Sequence, residues 1–152
     1  MLDEPATTKP AAMEGHGGYN RRSQVQAGSS APAIAMLERA AKLVPLTASI
    51  VIADYGSSQG HNSLAPLATA IEVLRERIGP HRAISVVHTD LPQNDFTSLF
   101  QTLNNDPESY LRRGSDTFAM AVGRSFYEQI LPSKSVTLGW SSWAVQWLSR
   151  TP

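Results

Sequence analysis

The sequence predicts an α/β fold: a parallel sheet of strands with helices on both faces. Short β-rich apolar runs alternate along the chain with stretches of helical periodicity, the pattern of a layered α/β domain. The runs are continuous rather than alternating, as in strands buried on both sides. Two of them close on an acid, Asp54 and Asp90. With 152 residues, 41% hydrophobic and 17% charged, one folded domain is expected rather than full-length disorder.

Residues 1 to 13 are rich in Pro, Thr and Ala, have no periodicity and read as a disordered tail. Residues 14 to 30 are Gly-rich and polar and end in Gly28-Ser29-Ser30, an arm that either dangles or folds over something. From Ala31 the text becomes periodic: Ile34, Leu37, Ala41 and Val44 mark a helix that Pro45 stops. Ser49 to Asp54 is the first strand. Leu64, Leu67, Ala68, Ile71, Leu74 and Ile78 mark a second helix, capped by Asn62 or Ser63, with Pro66 in its first turn and Gly79-Pro80 at its end. The second strand spans Ala83 to Thr89 and is closed by Asp90. Phe96, Leu99, Phe100 and Leu103 mark a short third helix capped by Asn94 or Asp95. Thr117 to Val122 is the third strand and Ser135 to Trp140 the fourth. Between them come Gly123 to Tyr127 and an apolar turn through Leu131-Pro132.

Ligands of an open parallel sheet bind outside the carboxyl ends of its strands. Here those ends carry Asp54, Asp90, Ser125 and the pair Ser141/Trp143. Strand ends also meet water, so polar residues there have a bland explanation; two acids closing otherwise apolar runs favour a site. The most informative stretch is Asp54-Tyr55-Gly56-Ser57-Ser58-Gln59-Gly60-His61-Asn62. A strand enters a Gly-Ser loop that opens a helix, where backbone approaches a ligand closely and free N–H groups point outward. No Gly-Lys-Ser/Thr follows, so it is not a P-loop, and it lacks the third Gly of the dinucleotide fingerprint.

The same loop satisfies G-x-S-x-G, which would make Ser58 a hydrolase nucleophile. That motif needs an acid and then a His downstream. After Ser58 the only histidines are His61, His81 and His88, no Asp lies before His88, and Glu72 and Glu76 both sit on the helix leaving the loop. An acid at the second strand end suits ribose hydroxyls, although Asp90 lies 34 positions after Gly56, farther than in NAD folds. His16, His61, His81 and His88 show no metal spacing and read as structural or surface residues. Trp140, Trp143 and Trp147 serve equally well as core or as the wall of an apolar pocket.

Composition narrows the partners. Thirteen basic and thirteen acidic residues give no electrostatic footprint for nucleic acid or an anionic membrane. Zero cysteines exclude disulfides and thiolate chemistry. No apolar run could span a bilayer, the N-terminus has no signal-peptide pattern, and a cytoplasmic protein is expected.

Five segments, in order, resemble the S-adenosyl-L-methionine-dependent carboxyl and N-methyltransferases of the salicylate/benzoate/theobromine (SABATH) family. The first is Met13-Glu14-Gly15-His16-Gly17-Gly18-Tyr19 with Ser23 to Gln26. Asp54 to Asn62 answers the family's DLGCSSGPN, and Asp90-Leu91-Pro92-Gln93-Asn94-Asp95-Phe96 its DLPGNDFN. Gly123-Arg124-Ser125-Phe126-Tyr127 answers GSFY, and Ser141 to Ser149 answers SSYSLHWLS. The resemblance implies the N-terminal half of a Rossmann-like methyltransferase sheet. Tyr19, Ser23, Asp54, Gly56, Ser57, Asn62, Asp90, Leu91, Ser125 and Phe126 would hold S-adenosyl-L-methionine, with Asp90 on the ribose and Ser125 and Phe126 beside the adenine. Gln26, Trp143, Gln146 and Trp147 would position the acceptor, a small, aromatic or apolar carboxylic acid. Trp143 stands where the family often has Tyr, and Gln146 where it often has His, a residue that reads the substrate in many members.

No catalytic acid, base or metal is implied. An ionised carboxylate attacks without a base, and catalysis is in-line positioning in a dry pocket. Family members are more than twice as long, so the fourth strand is expected to present an open edge, paired in a homodimer or with a missing C-terminal half. The chain alone is then expected to keep most of its cofactor contacts but to lack much of the acceptor site, and so to be weak or inactive as an enzyme. The competing readings are a noncatalytic cofactor-binding or partner module and a serine hydrolase using Ser58.

Overall fold

The structure, a computed structural model, describes residues 31–114 and 116–144. Helix α1 spans Ala31–Leu43, strand β1 Ile50–Tyr55, helix α2 Leu64–Ile78 and strand β2 Ile84–Asp90. Helix α3 (Phe96–Asn105), strand β3 (Thr117–Gly123) and strand β4 (Leu138–Ser141) follow. Short 3-10 turns lie at His61–Ser63 and Tyr110–Arg112.

The helices form where the apolar spacing predicts them. On α1, Leu37 and Ala41 are buried one turn apart. Arg77, near the end of α2, donates to the carbonyls of Ala41 (2.6 Å) and Val44 (2.9 Å), satisfying acceptors that the end of α1 leaves open. Ser63 occupies the N-cap position of α2, but its side chain makes no capping bond; the preceding 3-10 turn leads the chain in. Gly79 ends α2 at φ 81°, its N–H returning to the Arg75 carbonyl. At α3, Asp95 is the cap and accepts from the Ser98 N–H at 2.9 Å. Leu99 and Leu103 of α3 are buried, whereas Phe100 faces outward.

All strand pairs are parallel, in the order β3-β2-β1-β4. The chain moves outward from β1 to β3 and then crosses back to the far side of β1. The β1/β4 boundary is therefore the topological switch point, where a crevice opens at the carboxyl ends of the strands. β4 starts at Leu138, later than the predicted Ser135, because Ser135 is spent on a turn: its N–H and hydroxyl both donate to the Pro132 carbonyl.

The two faces of the sheet differ. Ile50, Ile52, Ile84, Val86, Leu138 and Trp140 share one face by register and form a single core with α1, α2 and α3. The expected helices on both faces are found on this one among the described residues. Across the other face run residues 124–137, which contain no helix. They cover Tyr55, and Phe118 and Met120 of β3 remain exposed at 54% and 44%. The crossover, with Pro132 within it, lacks the apolar period that would make a helix. No described helix is long and apolar enough to cross a membrane.

Candidate cofactor site

The loop after β1 is built by the end of β2. Gly56 turns the chain at φ 79°, and the N–H groups of Gly56 and Ser57 both donate to the Thr89 carbonyl, at 2.9 and 3.1 Å. The Ser58 N–H donates to Asp90 Oδ2 at 2.7 Å, and Asn94 Nδ2 returns to the Ser58 carbonyl at 2.8 Å. Ser58 is held at φ 48°, a conformation disfavoured for a residue with a Cβ and maintained by these bonds. The hydroxyls of Ser57 and Ser58 are buried and have no partner among the described residues. Such donors, rigidly placed beside a strand-end carboxylate, suit a polar ligand.

Gly56 is required for a second reason. A Cβ there would lie 2.4 Å from the Cβ of Ala144, which follows β4 and closes over the loop. Gly56→Ala is expected to destabilise the fold by about 2–4 kcal/mol, the sum of left-handed strain and overpacking. A chemical-denaturation midpoint equal to that of the parent chain would contradict this close approach.

Asp90, at the end of β2, is fixed beside this loop. It is half-buried, with Oδ2 on the Ser58 N–H and Oδ1 on the Leu91 N–H, each at 2.7 Å. Burial pushes its carboxyl above the ordinary value; the two backbone N–H groups oppose that, and the nearby charge of Asp54 adds to it. The consequence for pH has a definite sign. An acid whose pKa is raised by folding loses its charge earlier as pH falls, and that protonation favours the folded state. Ligand affinity that depends on the carboxylate should therefore fall at a pH above the ordinary Asp range while the fold persists. Titrations with S-adenosylhomocysteine across mildly acidic pH, paired with melts, read this; loss of binding only together with unfolding would contradict it.

Asp54 is placed differently from Asp90. Only 1% exposed, it lies on the helix-covered face and is bonded through Oδ2 to His88 Nδ1 at 2.9 Å. His88 Nε2 is 2.8 Å from the Tyr110 hydroxyl, and both rings are buried. The sequence alone predicts only a structural or surface role for His88 and carries no signal for Tyr110. In the text His88 interrupts an apolar run at the same parity as Ile84 and Val86, which was the available signal; its pairing with Asp54 follows only from the strand register. Thr89, Asn94 and Ala144 were also missed as supports of the loop.

Asn62 and Leu91 are half-buried beside the loop and Asp90 respectively. Ser125 and Phe126 follow Gly123, which pairs with Asp90, so they leave the sheet at the same edge. The Ser125 hydroxyl accepts the Tyr127 N–H at 3.3 Å. Phe126 and Tyr55 line a cleft of about 440 Å³ with Leu131, Pro132 and Val136. Trp140 is core, whereas Trp143 is 41% exposed and held at φ 61°. Tyr19, Ser23, Gln26, Gln146 and Trp147, as well as His16, lie outside the described residues. The hydrolase reading finds no base: among the described residues no histidine bonds Ser58, and His88 is engaged at both nitrogens.

A parallel sheet with a Gly turn after its first strand, an acid at the end of its second and a switch point beside the first defines an α/β protein of the doubly wound, Rossmann-like class. The family model described as SAM dependent carboxyl methyltransferase matches residues 8–152, and the chain belongs to that family. It is 29% identical over 144 residues to Methyltransferase FUS9 of Gibberella fujikuroi, covering 92% of this chain and 39% of that protein. It is 32% identical over 126 residues to the S-adenosyl-L-methionine:benzoic acid/salicylic acid carboxyl methyltransferase 3 of Petunia hybrida, covering 78% and 35%. Among solved structures it resembles a loganic acid methyltransferase with SAH, at TM-score 0.73 and 25% identity over 94% of this chain and 42% of that one. The chain thus spans about two fifths of the length of the relatives it matches.

Proposed function

We propose that the chain holds S-adenosyl-L-methionine at the carboxyl edge of its sheet and serves methyl transfer to the carboxylate of a small organic acid. The observation that carries this reading is the Asp90 carboxylate, fixed by two backbone N–H groups against a loop whose two serine hydroxyls are buried without partners among the described residues. The donor set fits the group: a carboxylate for ribose hydroxyls, and the two buried serine hydroxyls for the amino-acid end. Asp90, Leu91, Gly56, Ser57, Asn62, Ser125, Phe126, Tyr19 and Ser23 would hold it. Asp54 would act from beneath the loop.

When bound, the cofactor supplies an electrophilic methyl on a sulfonium. An acceptor carboxylate is already ionised near neutral pH, so this chain's residues need not move a proton. Their work is to orient the two reactants and exclude water. Gln26, Trp143, Gln146 and Trp147 would position the acceptor, an aromatic or apolar acid of the kind named for the Petunia relative. A cytoplasmic location belongs to the same reading, as does pairing of β4, a sheet edge, with a second copy or with a C-terminal half; fractionation and sedimentation at increasing concentration test these.

The decisive assay is transfer of labelled methyl from S-adenosylmethionine to benzoate, salicylate and related acids. Ester formation that Asp90→Ala removes supports the reading. Saturable cofactor binding without ester on any acid favours the cofactor-binding module instead. Absence of binding to a folded chain would overturn both.

A further inference from the structure

β3 is an outer strand of the sheet, and no described strand pairs with its free side. It runs for seven residues, Thr117–Gly123, with no charge and no proline among them. Charges, prolines and short length are what usually keep an edge strand from joining another. β4, at the opposite edge, has only four residues.

The ladder fixes which groups this edge offers. The Ile84 N–H donates to the Asp116 carbonyl, and Ile84 is in register with Thr117. In a parallel pair the backbone groups of alternate residues turn toward the partner strand. Asp116, Phe118, Met120 and Val122 therefore bond β2, while Thr117, Ala119, Ala121 and Gly123 point their N–H and C=O groups outward. The side chains of Phe118 and Met120 stand on the face without helices, 54% and 44% exposed.

Turned antiparallel about a two-fold axis at Met120, a second β3 matches the first group for group. Thr117 falls opposite Gly123 and Ala119 opposite Ala121, as pairs that exchange both backbone bonds. Phe118 falls opposite Val122 and Met120 opposite Met120, as the closer pairs whose side chains touch. One step further out, Asp116 falls opposite Arg124, so each end of the ladder brings an acid to a base. Arg124 already holds Glu128 at 2.6 Å, and its guanidinium fork has N–H groups for a second carboxylate. Moving the axis to Ala119 or Ala121 sets Asp116 opposite Val122 or Phe126 instead, so the charges select the register at Met120.

We propose that two copies of this chain associate through β3, antiparallel about Met120, in one continuous sheet. A two-fold contact of this kind closes after two copies. It leaves β4 unoccupied and does not rest on the cofactor reading.

The test is sedimentation equilibrium of the full 152-residue chain over a range of concentrations, with a melt of each variant. The parent is expected to form a dimer as concentration rises. Met120→Lys and Met120→Glu each set like charges against each other on the axis and should weaken that dimer about a hundredfold. An equal mixture of the two should restore it, since unlike charges then meet. Arg124→Glu places an acid opposite Asp116 at both ends and should weaken the dimer severalfold. Should a Met120 variant fail to fold, Arg124→Glu decides alone. A parent that stays monomeric throughout would overturn the proposal. So would a mixture of the Met120 variants that stays monomeric, or an Arg124→Glu dimer of parental strength. A dimer that Met120→Lys leaves intact would also overturn it and assign the contact to another surface, such as β4.

Discussion

Asp90→Ala is expected to reduce affinity for S-adenosylhomocysteine at least a hundredfold while leaving a folded chain. Two effects combine. The substitution deletes the carboxylate proposed to take the ribose hydroxyls, a pair of charge-assisted bonds. It also frees the Ser58 N–H, which Asp90 Oδ2 holds at 2.7 Å, so the strained φ of 48° at Ser58 loses one of its supports. Asp90→Asn separates the two, since an amide can accept one of the N–H groups but carries no charge. It should retain the loop and still lose most of the affinity. Titration calorimetry on both variants checks this, and near-parental affinity in Asp90→Ala would remove Asp90 from the site.

His88→Leu is expected to produce the largest loss of stability, about 3–5 kcal/mol. The leucine leaves the Asp54 carboxylate buried without its imidazole partner and the Tyr110 hydroxyl without an acceptor, in a region no more than 1% exposed. His88 also lies in β2 between the two neighbours that make the sheet, β1 and β3, so the damage falls in its centre. Chemical denaturation measures the effect. His81→Leu, at an exposed histidine outside the buried chain, is the control and should shift the midpoint little. Equal midpoints for His88→Leu and the parent would show that the Asp54–His88–Tyr110 chain contributes nothing to the fold.

These two residues also mark what the sequence shows and what it hides. Asp90 was legible because it ends a run of apolar, β-rich residues, and a strand that ends in an acid delivers that acid to the sheet edge. The Gly56 turn and Gly79 helix stop were legible for the same kind of reason, a local conformation that few residues adopt. His88 was not, because its partner lies 34 positions away and is chosen by the register of β1 against β2, which no local pattern encodes. The start of β4 moved because Ser135 bonds its own turn at Pro132, a local competition that β-propensity does not register. Helices were expected on both faces from the apolar strands alone. Among the described residues the second face is covered over β1 by irregular chain, and Phe118 and Met120 of β3 are exposed. Continuous apolar runs predict that a strand is covered, not what covers it.

The central claim is that the carboxyl edge of this sheet holds S-adenosylmethionine and its demethylated product. It is tested most directly by titrating the purified 152-residue chain with S-adenosylhomocysteine and following heat, beside a melt that shows the chain folded. Saturable binding of one ligand per chain, accompanied by a rise in melting temperature, is the predicted result. A cooperatively folded chain that takes up no heat and melts at the same temperature with and without the ligand would contradict the claim.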